Sequence, residues 1–259
     1  MEPEDDAGTT GGRSQTDARV GRLQAAVVLL GLAWVGTVGW IALRPAPTPA
    51  VLTVERLEVV EPDGQPAFVL ANSERPAPAI MDGEVLMAGQ EEERSVPSVI
   101  FFDGHGDEVG GMLFSNESTE EGFSATRHLS LDGHKQDQTV VLHHYQDPSG
   151  AHAGLTVSDR PEDLSLTDAM AALGLEPGHT RDQLTSAVEQ VPEEVRSDSL
   201  RQLFGVQRLF VGSDRGGDAS LELRDGAGRP RIRISVPEEG DPSIRILDEE
   251  EDTVAQLPG

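Results

Sequence analysis

The chain has 259 residues, with 46 acidic against 20 basic side chains and a formal net charge of −26. This excess of negative charge argues against a nucleic-acid-binding protein, which needs a basic face for the phosphates. The sequence contains no cysteine, which excludes disulfide scaffolds, thiolate metal sites, cysteine nucleophiles and iron–sulfur clusters.

A polar tail and a long apolar run come first in chain order. Residues 1–22 are rich in Gly, Thr, Asp and Ser, a composition that predicts a disordered segment. The run from Leu23 to Leu43 (residues 23–43) has no charged side chain, and about 20 apolar residues in a helix span the roughly 30 Å hydrocarbon core of a membrane. A cleaved signal peptide is the alternative, but its apolar region is shorter and is followed by a small-residue cleavage site. The run therefore predicts a retained transmembrane helix whose partner is the lipid bilayer.

Arginines on the two sides of this run predict its orientation. Three arginines precede the run and two follow it: Arg13, Arg19 and Arg22, then Arg44 and Arg56. Because cytoplasmic flanks carry the excess of basic residues, we expect the N-terminus in the cytoplasm and the rest of the chain outside the cell membrane. Residues 44–50 alternate proline with small residues and predict an extended, semi-rigid stalk.

Short β-type runs separated by turns of Asp and Gly fill residues 51–160 and 206–259. The unit of strand, acidic glycine-containing turn and strand recurs, as at Asp103–Gly106 and Asp225–Gly228. Aspartate caps such turns with its side chain, and glycine allows a positive φ. The predicted fold class is mainly β, with antiparallel hairpin or meander repeats preceded by one transmembrane helix.

The predicted strands differ in how apolar and polar residues alternate along them. Ile232 and Ile234 flank Arg233, a pattern typical of an antiparallel strand with one buried and one solvated face. The run Val99–Phe102 is apolar on both faces, which predicts a central strand. The stretch from Arg75 to Pro97, which includes a run of three glutamates, predicts a solvated loop.

Residues 161–205 have a different character and predict a small helical insert between the two β regions. Thr180–Gln183 fits a capping box, and apolar residues follow it at helical spacing. Pro192 suits the start of a further helix that Gly205 ends, and Leu166–Leu173 predicts a shorter one. One sheet-rich domain with an insert and two small domains are both consistent with this pattern.

Several segments resemble a family of uncharacterised bacterial single-pass membrane proteins with β-hairpin repeats. The segments are Val54–Gly64, with its Val-Val-Glu-Pro-Asp-Gly, the Phe101–Phe114 unit, with its Glu-Val-Gly-Gly, and the hairpin Leu223–Arg231. The resemblance implies membrane anchoring and a β-rich exterior, and it implies no activity.

The sequence contains neither the usual nucleophile motifs nor a phosphate-binding glycine pattern. His105 and His134 occupy matching places in successive Asp-Gly-His turns, where imidazole and carboxylate groups offer ligands for a divalent cation. The weak candidate ligands are Asp103, His105, Asp107, Glu108, His134 and Asp137. Solvated turns are the alternative, since aspartate favours turns. Glu108, ahead of two glycines, is the preferred position for a site, with close strand packing as the alternative.

The predicted function is a non-enzymatic, membrane-anchored β-rich domain that binds a partner or has a structural role outside the cytoplasmic membrane. This prediction includes no cofactor and no nucleic acid, and leaves a protein or envelope partner unidentified. The alternative is a metal-dependent binding module or enzyme whose site lies near the 103–108 and 132–137 turns. Self-assembly through sheet edges is a third hypothesis.

Overall fold

The computed structural model describes residues 11–43, 50–86, 95–120 and 122–257. The chain divides into two compact units, Met1–Thr53 and Val54–Gly259. The first contains helix α1, Gly11–Ala42, of which Ala18–Ala42 is long and apolar enough to span a membrane. No part of its apolar window is buried against described residues.

Helix α1 corrects part of the predicted N-terminal organisation. Residues 11–22, predicted to be disordered, are helical. An apolar helix supplies the nucleus, and each added residue then gains a backbone hydrogen bond. Residues 1–10 and most of the predicted stalk, residues 44–49, lie outside the described residues.

The second unit contains an antiparallel sheet of 12 strands, in the order β1-β2-β5-β6-β7-β8-β9-β10-β11-β12-β13-β14. The strands are β1 (Arg56–Val60), β2 (Pro66–Ala71), β5 (Ser98–Phe102), β6 (Glu108–Thr119), β7 (Gly122–Asp132), β8 (Gln138–Asp147), β9 (Gly150–Asp159), β10 (Val206–Ser213), β11 (Ala219–Arg224), β12 (Pro230–Val236), β13 (Ser243–Leu247) and β14 (Thr253–Leu257). A separate two-stranded ribbon consists of β3 (Ile80–Met81) and β4 (Glu84–Val85). The predicted fold class, a mainly β meander of hairpins with a few small helices, is confirmed.

Aspartate-capped turns join many of these strands, as the sequence predicted. In four of them the first aspartate accepts hydrogen bonds at Oδ1 from the backbone N–H groups two and four residues later; these are Asp103, Asp214, Asp225 and Asp248. Burial alone would raise the pKa of Asp225, but N–H donors of Arg229 and Ala227 and the Arg229 guanidinium hold that pKa at about 2. In these turns, four of the 46 acidic side chains of the sequence satisfy backbone donors.

The helical insert lies between two adjacent strands of the same sheet. It contains α2 (Leu166–Ala172), α3 (Arg181–Gln190) and α4 (Glu193–Phe204). The capping box predicted at Thr180 is present at the start of α3, and α4 follows Pro192 and ends at Gly205. Since β9 pairs directly with β10, the two predicted β regions form one sheet within one compact unit.

A small core covers one face of the sheet near β2 and β5. Its buried apolar members are Val69, Ala71, Ala77, Ile100 and Phe102. The loop between β2 and β5 supplies Ala77, and Ala79 and Met81 of the same loop are buried as well. The prediction of a wholly solvated loop over residues 75–97 is therefore wrong for this part, because these small apolar side chains pack on the sheet. The acidic residues 91–93 lie outside the described residues.

Candidate functional site

The two turns that carry His105 and His134 are where the sequence predicted a site. The carboxylate of Asp103 is engaged by its own turn, since Oδ1 accepts from the backbone N–H groups of His105 at 2.8 Å and Asp107 at 3.1 Å. Burial alone raises the pKa of Asp103, but these hydrogen bonds outweigh it and lower the pKa from 3.8. The His105 side chain is 84% exposed, with Nδ1 3.5 Å from Asp103 Oδ2.

Asp82, in the ribbon turn, connects the second of these turns to the insert. It accepts hydrogen bonds from Lys135 and from Thr167 at the start of α2, and both bonds lower its pKa. The same hydrogen bond to Asp82 raises the pKa of Lys135. The backbone N–H of Leu166 donates to the Lys135 carbonyl at 2.8 Å. These contacts hold the ribbon, the 132–137 turn and α2 together.

Metal-binding geometry is absent from this region as far as the chain is described. Within residues 11–43, 50–86, 95–120 and 122–257, no group of three or more His, Asp or Glu is arranged to hold a metal ion. Of the six candidate ligands, Glu108 and Asp137 line a cavity, and the other four lie in the two turns outside it. The metal-dependent alternative therefore gains no support from the structure.

A cavity of about 490 Å³ lies between the ribbon, the strand ends and the helical insert. Its volume falls in the range of small-molecule sites, roughly 300–1,000 Å³. Its apolar wall comes from the ribbon segment and the three helices of the insert: Ala79, Ile80, Met81, Leu86, Leu166, Met170, Leu184, Val188, Leu200 and Phe204. Its polar wall comes from the sheet: Glu108, Asp132, Gln136, Asp137 and Gln138.

The cavity brings together two of the predicted site residues and separates them from the others. Glu108, the preferred position, and Asp137 both line it. Asp137 lies 3.5 Å from the guanidinium of Arg160, which also donates to the carbonyl oxygens of Gln138 and, at 2.6 Å, Phe204. Arg160 thereby joins the sheet wall to the end of α4. Asp103, His105, Asp107 and His134 do not line the cavity.

Gln136 is the polar wall residue that sequence reasoning missed. It is only 3% exposed, and its Nε2 donates to the carbonyl of Leu164. This bond fixes the amide orientation, because a flipped amide would place two oxygens against each other. Among the described residues Gln136 Oε1 has no hydrogen-bond partner, and a buried acceptor left unpaired is costly. A residue of the cavity wall thus has a buried acceptor without a partner among the described residues.

A second cluster of functional side chains lies on the sheet, on the strands β7 to β10. The rings of His128, Tyr145, His143, His152 and Phe210 stack across these strands, and we call this set the ring ladder. The Nε2 of His143 lies 3.1 Å from Nδ1 of His152, and the Tyr145 hydroxyl lies 2.8 Å from Nδ1 of His128.

The environment of the ring ladder disfavours charge. Burial lowers the pKa of His128 more than the nearby carboxylate of Asp137 raises it. Burial, and then the proximity of His152 and His128, lower the pKa of His143. Neighbouring residues of a strand point to opposite faces, and here His143 is buried whereas the next residue, His144, is half-buried. These stacked rings pack the sheet.

Comparison of the chain with family models, with curated proteins and with solved structures found no match. The chemistry of the site therefore rests on its own residues. The resemblance to uncharacterised bacterial single-pass proteins stays a prediction.

Proposed function

We propose that the chain is a single-pass membrane protein whose β domain lies outside the cytoplasm and binds a small apolar ligand that carries an amine. The observation that supports the anchor is the helix segment Ala18–Ala42, which is long and apolar enough to cross a membrane. The arginine excess on the N-terminal side of the uncharged run 23–43 supports the orientation, with Arg13, Arg19 and Arg22 before the run and Arg44 and Arg56 after it.

The topology gives a direct prediction. Protease added to spheroplasts is expected to degrade the sheet domain of the full-length chain, detected through a C-terminal tag. Inside-out vesicles are the matched control, and in them the tag is expected to survive until detergent is added. Survival of the tag in spheroplasts with loss in inside-out vesicles would contradict the orientation. Recovery of the chain in the soluble fraction would contradict the anchor.

The cavity supports the binding part of the proposal. It combines an extensive apolar wall with a few polar groups on one side, which is the usual composition of small-molecule sites. Three carboxylates, those of Glu108, Asp132 and Asp137, line it, and Gln136 adds an acceptor without a partner among the described residues. An apolar body with a cationic donor complements both walls.

Ligand binding can be tested by thermal unfolding of the full-length chain. Phenylpropylamine is expected to raise the Tm, by roughly 5–10 °C at a hundredfold excess over its Kd, because a ligand of the native state stabilises it by mass action. Phenylpropionate, which carries the opposite charge on the same ring, is expected to leave the Tm unchanged. Equal shifts from both compounds would contradict the charge argument.

Matched variants locate the binding site. Glu108→Gln removes a carboxylate from the cavity wall and is expected to weaken the amine-dependent shift. Glu84→Gln is the control, since Glu84 is exposed on the ribbon and does not line the cavity. A shift of normal size in Glu108→Gln would place the ligand elsewhere.

A further inference from the structure

Two rows of apolar side chains cross the whole sheet on one face. Residues that face each other across neighbouring strands share a face of the sheet, so the strand registers identify each row. The first row is Leu57, Leu70, Val99, Met112, Leu129, Leu142, Leu155, Val211, Leu221, Ile234, Ile244 and Leu257. The second is Val59, Phe68, Phe101, Gly110, Leu131, Val140, Val157, Leu209, Leu223, Ile232, Ile246 and Ala255. We call these rows the apolar strip.

No position of the apolar strip carries a charge, although 25% of the chain is charged. On the opposite face of the sheet, the row that lies between the two apolar rows does contain charged residues. They are Glu58, Glu222, Arg233 and Arg245. There Glu222 is buried and paired with Arg224 and Arg233. The sequence thus keeps charge out of the two rows, although Arg127 lies on the same face beyond the first row.

The apolar strip is uncovered in the described part of the chain. Only Gly110 among its members is buried. Side chains along its length are widely exposed, with Leu70 at 45%, Leu142 at 54% and Leu257 at 61%. A contiguous, solvent-exposed apolar surface of this extent marks an interaction site. An apolar sheet face is ordinarily buried against a second layer of structure.

The size of the apolar strip matches an interface between two proteins. Twelve strands about 4.8 Å apart make it roughly 53 Å long, and two rows of side chains make it roughly 14 Å wide. That gives on the order of 700 Å² on each of two copies, close to the roughly 800 Å² per partner of a standard interface.

We propose that the apolar strip docks on the apolar strip of a second copy of this chain, so that the two sheets form a face-to-face sandwich. A second copy offers a surface of the same length and the same lack of charge. It therefore covers the strip without burying any of the carboxylates that give the chain its net charge. Lipid fits less well, because surfaces that lie on membranes are rich in Lys and Arg, whereas the two rows carry neither residue and the chain has a net charge of −26. The inference is independent of the membrane and ligand proposals.

Photo-crosslinking in cells that express the full-length chain tests this dimer. A benzophenone amino acid at Leu142, near the middle of the apolar strip, is expected to give a light-dependent product of twice the 27.7 kDa chain mass. With two differently tagged copies in one cell, this product should contain both tags. The same probe at Gln256, exposed on the opposite face, is expected to give none.

A charge in the apolar strip should abolish the product. With the probe at Leu142, Ile234→Glu is expected to weaken association about tenfold or more, because an unpaired carboxylate would be buried between the sheets. Gln146→Glu, an exposed position on β8 beyond the two rows, is expected to leave the product unchanged. Circular dichroism confirms that both variants fold. Products of other masses alone, lipid adducts alone, or no product from a folded chain would each overturn the proposal.

Discussion

Replacing Gly154 with alanine is expected to lower the free energy of unfolding by about 1–3 kcal/mol, the usual cost of forcing extra volume into packed structure. A Cβ at this position would lie 2.5 Å from Cε2 of Phe210 and 2.8 Å from the carbonyl oxygen of Val211. The Phe210 ring belongs to the ring ladder and stacks on His152 at 5.5 Å, so it cannot move without disturbing its neighbours. Urea unfolding of the full-length chain measures the effect.

Gly226→Ala is the matched control for this substitution. A Cβ at Gly226 would meet no atom within 4 Å, and its φ is not in the left-handed region. The control variant is therefore expected to unfold at the same urea concentration as the parent chain. Equal stability of the Gly154 and Gly226 variants would show that the rings do not pack against β9 as described.

The free energy of unfolding is expected to fall as the pH drops below 6.5, the ordinary pKa of histidine. The folded state holds His128 and His143 neutral, with their pKa values lowered chiefly by burial. As the pH falls, these histidines bind protons in the unfolded chain at a higher pH than in the folded state. Their contribution to the free energy of unfolding is therefore complete above pH 6.5. It is lost as the pH falls from there toward the lowered pKa values of the folded state. Unfolding in urea over a series of pH values measures this loss.

Two variants separate the ring ladder from the general titration of the many carboxylates. His143→Phe keeps an aromatic ring between Tyr145 and His152 and removes one titrating group, so its stability is expected to depend less on pH between 7 and 5. His105→Gln changes a histidine that is 84% exposed and is expected to keep the slope of the parent chain. Identical slopes in all three proteins would rule out the ring ladder as the source.

The sequence predicted the sheet well because its signals are local. The alternation of Ile232 and Ile234 with Arg233 is the pattern of a strand with one charged face, and Arg233 does pair with Glu222 on that face. The run Val99–Phe102 lies in β5, an interior strand between β2 and β6. Aspartate-capped turns and the capping box depend on residues at most a few positions apart, so sequence reasoning could find them.

The cavity and the ring ladder could not be found in this way, because both depend on contacts between distant segments. Glu108 and Gln136 share a wall only because β6 and the 132–137 turn meet the insert. Residues 77–81 have no alternation that signals burial, yet they pack on the sheet. The one available signal for the ring ladder was the occurrence of His143 and the single tyrosine, Tyr145, at alternate positions of β8, which places them on one face.

The meander has a consequence for the order in which the protein folds. Every strand of the 12-stranded sheet pairs with strands that are adjacent to it in that sheet's order along the chain. Each new strand can add to the edge of those already made, beginning with the β1–β2 hairpin nearest the N-terminus. The pairing of β10 with β9 must wait for the residues of the insert, and it closes the longest connection between paired strands of this sheet.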